Sequence, residues 1–117
     1  MIVRREALRP IDFGGLRIVD YTAERDLGSS LAVIEVPPAA RHAEAWSKRS
    51  DKYYLVTQGE VRFVLDGRVH DLGEGDFCCV RCGQHFSYSN ERSRMATLML
   101  VHTPSFRLDQ EVFVGAE

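Results

Sequence analysis

The chain has few of the features that identify a function at a glance. Its 117 residues hold no apolar run longer than Leu98 to Val101, far too short to span a bilayer as a helix. It has no excess of either charge. Fifteen Lys and Arg against seventeen Asp and Glu leave a formal −2, which provides no electrostatic footing for nucleic acid or an anionic membrane. The basic pairs are balanced locally, Lys48-Arg49 by Asp51 and Arg4-Arg5 by Glu6. Met1-Ile2-Val3 runs straight into charges, unlike a secretory leader. Repeats, linkers and low-complexity tracts are also missing, so residues 1–117 read as one domain with a single modest core.

Cysteine is scarce and oddly placed. Cys78, Cys79 and Cys82 fall within five positions, an odd count that argues against a disulfide framework and fits a reducing cytoplasm. Cys79 to Cys82 spells C-x-x-C, but one such pair cannot build a four-thiolate zinc site. A redox pair would open a helix, whereas this stretch reads as strand and turn.

What is present is the punctuation of an all-β protein, short extended runs separated by Gly, Pro and Asp. Strands are expected at 16–21, 31–36, 52–57, 61–65, 68–72, 77–81, 86–90 and 95–102. Asp66-Gly67, between two alternating runs, is the strongest hairpin signal. Residues 43–48 are expected to form at most a turn of helix. The tail from Phe106 to Phe113 is expected to cross back over the barrel or a partner. Eight or so short strands imply a sandwich or barrel.

Two glycine-anchored blocks narrow the choice. In the first, Ala39 to Gly59, Ala39 takes the leading glycine slot, Ala45 and Ser47 two histidine slots, and Lys52 a glutamate slot. In the second, Gly75 to Asn90, Arg81 takes a proline slot and Phe86 a histidine slot, while Gly75, Gly83 and Asn90 match outright. By this spacing the chain resembles a small single-domain cupin. The resemblance implies a double-stranded β-helix, or jelly-roll barrel, and a homodimer with Trp46 or Tyr53 on the outer, dimer-facing side. It also implies a site from which the usual metal ligands are gone. Alanine and phenylalanine offer no donor atom, and a protonated lysine repels a cation.

Strand parity then furnishes the pocket. With Lys52 facing in, Tyr54 faces in; with Phe86 in, Tyr88 and Asn90 follow; and Ser47 joins from the first block. Lys52, Tyr54 and Tyr88 are the candidate catalytic groups, a desolvated amine as base and a phenol as acid. Ser47, Phe86 and Arg81 are the candidate ligand contacts. No cofactor is expected. The favoured function is a metal-independent cupin that binds a small organic molecule and catalyses proton transfer, as in isomerisation, epimerisation, cyclisation or dehydration. One alternative is a non-catalytic binding or sensing module with the same cup. Another is a metal-dependent dioxygenase, lyase or isomerase with His42, Glu44, His85 and His102 as ligands, which requires a slip of one residue at His85.

Overall fold

The computed structural model describes residues 1–115. Its strands are β1 (Ile11–Phe13), β2 (Leu16–Asp20), β3 (Ser30–Val36), β4 (Arg41–Ser47), β5 (Asp51–Gln58), β6 (Val61–Leu65), β7 (Arg68–Leu72), β8 (Phe77–Val80), β9 (Phe86–Ser89), β10 (Ala96–Thr103) and β11 (Glu111–Phe113). They form two antiparallel sheets, ordered β1-β2-β3-β10-β5-β8 and β11-β4-β9-β6-β7. The expected strands are present, with ends shifted by a residue or so. No helix of the described residues is long and apolar enough to cross a membrane.

Alternation builds the core. Even positions of β3, β5 and β10 point between the sheets, giving Ile34, Val36, Tyr54, Val56, Ala96, Leu98 and Leu100 as buried residues. From the other sheet Val61, Phe63, Phe86 and Tyr88 face them. Asp66-Gly67 turns the β6–β7 hairpin with φ of +48° and +81°, the backbone signature of a type I′ turn. Asn90 is fully buried and structural. Its amide donates to the carbonyls of Val36 (2.9 Å) and Arg94 (2.7 Å), and its oxygen accepts from the amide of Arg92.

Two features differ from the sequence reading. Residues 43–48 are not helical, because β4 lies between β9 and β11, where pairing on both sides satisfies its backbone groups. More important, β4 carries a bulge. His42 pairs with Tyr88 and Ala45 with Phe86, so three steps on β4 match two on β9. The extra residue reverses the alternation partway along the strand. His42 thus joins Ala45 and Ser47 on the inner face, although one odd-numbered gap separates it from them.

Gly59 closes β5 at φ +71°, and a Cβ there would stand 2.6 Å from the Met95 carbonyl oxygen. Gly67 has similar φ but open space around it. Gly59→Ala is therefore expected to destabilise the protein by about 2–4 kcal/mol and Gly67→Ala by only about 1 kcal/mol, in denaturant titrations of the two variants.

Candidate functional site

The inward positions turn polar at one end of the barrel. The register sets Ser30 opposite His102 and His102 opposite Lys52, so β3, β10 and β5 offer a row of three polar side chains. One row further in, the same strands offer Ala32, Leu100 and Tyr54. Facing them, β9 contributes Tyr88, β4 His42, and β11 Glu111. The space enclosed is a cavity of about 210 Å³ with an otherwise apolar wall, and Ile11, Phe13, Phe106 and Leu108 ring its exposed side.

Lys52 is the charged centre. Its ammonium donates to Glu111 Oε1 and to His102 Nε2, the latter at 2.8 Å. Both side chains of the ion pair are only 4% exposed. A buried pair of this kind balances its desolvation, yet removing one partner costs about 3–5 kcal/mol. Burial lowers the Lys52 pKa, while Glu111 opposes that shift. The Lys52 ammonium also lies 5.5 Å from the centroid of the Phe86 ring.

Because His102 accepts from that ammonium, its imidazole is neutral. Burial, reinforced by the Lys52 charge, pulls its pKa down to about 3. His42 is neutral for a related reason. Burial lowers its pKa, and the Lys52 charge adds to this against the opposing pull of the Ala43 carbonyl and Glu111. Its Nδ1 lies 2.6 Å from the Ala43 carbonyl oxygen and so must be the donor. Nε2 is left with a free lone pair. The rings of Phe86 and Tyr88, at 5.0 and 5.2 Å, hold the imidazole in place.

The two tyrosines are kept protonated. Burial pushes Tyr54 well above the ordinary phenol range, helped by Tyr88 and Glu111, and burial alone raises Tyr88. Among the described residues, two buried side-chain polar atoms lack any partner: the Tyr88 hydroxyl and Glu111 Oε2. Both belong to cavity-lining residues, and a buried polar group without a partner costs about 1–3 kcal/mol. Neither atom is itself open to the cavity, so the missing partners mark a local cost of burial beneath its wall.

The cavity thus gathers Lys52, Tyr54 and Tyr88, but the three expected ligand contacts lie elsewhere. Ser47 Oγ accepts from the amides of Arg49 and Ser50 and pins the β4–β5 turn. Phe86 is packed behind His42 and Lys52 as support for both. Arg81 is exposed on the turn before β9, with its amide on Gln84 Oε1. The proline slot is a surface position, and a side chain there points to solvent. Trp46 lies half-buried on the outer side, stacked on His85 at 5.9 Å, and Tyr53 stacks on Phe77 at 6.0 Å.

The four alternative metal ligands are also divided. His42 and His102 line the cavity, whereas Glu44 and His85 pair with each other at 2.9 Å on the exposed side of the sheet. Within the cavity the Lys52 ammonium occupies His102 Nε2 and one oxygen of Glu111, and its charge opposes a second cation. No three His, Cys, Asp or Glu side chains converge among the described residues. These residues do not fit a divalent ion. The sequence reading missed two members of the site. Glu111 follows a loop that no motif covers, and the orientation of His42 depends on the bulge.

The model of the cupin domain matches residues 32–102. No curated protein matches the chain in sequence. Among solved structures, the nucleoside dehydratase Pac13 from Streptomyces superposes with a TM-score of 0.85 at 19% identity, over 97% of this chain and 90% of that one. Three Pac13 variants, one His to Gln and two Tyr to Phe, have been solved with uridine. A predicted oxalate decarboxylase from Thermotoga maritima gives 0.77 at 17% identity, covering 89% of this chain and 99% of that one. A cupin-superfamily sugar phosphate isomerase from Silicibacter pomeroyi gives 0.75 at 16%, covering 88% and 75%. At these identities the likeness is one of fold.

A neutral buried imidazole also makes stability depend on pH. The unfolded chain takes up a proton on His102 near pH 6.5 and the native state only near 3, so stability falls as pH drops between those values. His102→Gln keeps an acceptor toward Lys52. It is expected to remove about 2–3 kcal/mol of the stability that the wild type loses between pH 7 and pH 4.5, measured by urea titration at both pH values.

Proposed function

Since this chain belongs to the cupin domain family, we propose that its barrel binds a small organic molecule and catalyses proton transfer on it without a metal. The observation that carries this reading is the set of groups around one cavity: a neutral imidazole with a free Nε2, two un-ionised phenols and a buried ammonium–carboxylate pair. In this role His42 Nε2 removes a proton from carbon next to a carbonyl. Tyr54 or Tyr88 supplies a proton to the developing oxyanion or to a departing hydroxyl. Lys52 is already committed to Glu111 and His102. It therefore serves as the anchor that orients Glu111 and His102, in place of the free base suggested by its sequence position.

The reaction class is isomerisation, epimerisation, cyclisation or dehydration. Dehydration of a nucleoside-like compound has additional support. Pac13 is a nucleoside dehydratase, and the variants solved with uridine change one histidine and two tyrosines, the residue types that meet in this cavity. The chain is proposed to work in the cytoplasm, where Cys78, Cys79 and Cys82 stay reduced. It is also proposed to form a homodimer through the outer face around Tyr53 and the exposed Phe77.

Solvent exchange tests the chemistry directly. In D2O, the protein is expected to catalyse deuterium incorporation next to the carbonyl of ketoses or oxidised nucleosides, followed by proton NMR, and to do so equally well after exhaustive chelation. His42→Gln is expected to slow exchange by about 10²–10⁴-fold, with binding of the same compound largely retained. Binding without exchange by the wild type would leave a recognition module, and loss of exchange on chelation would reinstate a metal. Light scattering is expected to give twice the chain mass, with Phe77→Glu shifting it to the monomer.

A further inference from the structure

The charges that reach the cavity are few and unequal. Among the described residues its lining holds no arginine, and its one lysine already donates to Glu111 and His102. The two carboxylates are Glu111 and Asp20, and both histidines are neutral. One ammonium against two carboxylates leaves the wall net negative. The polar atoms without partners do not invite an anion either. Glu111 Oε2 has no cation of its own beneath the wall, and the free lone pair of His42 Nε2 calls for a donor such as a ligand hydroxyl. Most of the remaining wall is aliphatic or aromatic.

We propose that this cavity selects uncharged, hydroxyl-bearing ring compounds and rejects their phosphorylated or carboxylated counterparts, with Glu111 as the selecting residue. This rests on the reading of the barrel as a small-molecule site and narrows its substrate class. Glu111 contributes twice. Oε1 neutralises Lys52, which would otherwise be an anion receptor, and Oε2 leaves carboxylate charge without a cation of its own close beneath the wall. Asp20, half-buried on β2 with Oδ1 held by Thr22, adds a second repulsive charge. An oxalate dianion or a sugar phosphate would meet a wall of its own sign with no free cation to pair with. A nucleoside or unphosphorylated sugar would not.

Calorimetry on the intact protein at pH 7.5 with two matched pairs tests this: uridine with uridine 5′-monophosphate, and ribose with ribose 5-phosphate. At least one neutral member is expected to bind, and its phosphate roughly tenfold or more weakly, with the gap shrinking as salt rises. Glu111→Gln should narrow the gap by freeing Lys52. Asp20→Asn should narrow it without touching the Lys52 pair, which guards against a Glu111 variant that folds poorly. A phosphate that binds as tightly as its neutral partner overturns the proposal. So does a gap unchanged in both variants and insensitive to salt, which would reflect size alone. If no probe binds and no carbon exchange is seen, the small-molecule reading itself fails and the selectivity goes with it.

Discussion

The end of the barrel is organised around one buried charge. Lys52 occupies an inward strand position that an apolar residue would normally fill, and its ammonium is tolerated only because a carboxylate and an imidazole meet it there. Each partner is then fixed in turn. His102 must stay neutral to accept the bond, and one oxygen of Glu111 is committed to the ammonium. His42 stays neutral in the same low-dielectric surroundings, with the positive charge nearby. The protonation states of the cavity therefore follow largely from one lysine on β5 and the burial around it.

The jelly-roll outline here coexists with an unusual set of inward side chains. The glycines at 75 and 83 keep the left-handed backbone that the turns require, and Ala39 adopts φ +69° in the leading glycine slot. Asn90 still joins three backbone groups. The scaffold positions serve the backbone and survive. The slots that the motif spacing assigns to metal ligands hold an alanine, a serine, a lysine and a phenylalanine, and several further polar groups of the cavity come from other strands.

Much of this was legible in the sequence because strands have a period of two. Once Lys52 was assigned to the inner face, Tyr54 followed; once Phe86 was assigned, Tyr88 and Asn90 followed, and burial in the fold agrees. The Asp66-Gly67 hairpin was readable from its backbone demand alone. The remainder was hidden for two physical reasons. A bulge is a change of parity with no residue signature of its own, so the facing of His42 was not determined by the motif spacing. Glu111 comes into play through a long-range pairing of β11 with β4, in which it lies opposite Ser47, and no local pattern specifies such a partner. Ser47, Phe86 and Arg81 show the converse. A slot in a motif places a backbone position without saying whether its side chain will be used by a turn, a ring stack or solvent.

The late position of Glu111 in the chain has a bearing on biosynthesis. As the nascent polypeptide leaves the ribosome, β5 emerges long before β11, and Lys52 has no counterion for most of that interval. Closing the barrel around an uncompensated ammonium is unfavourable, so docking of β11 and closure of this end are coupled. Lys52 and Glu111 must both be in place before this end of the barrel can close, although they stand 59 positions apart in the chain.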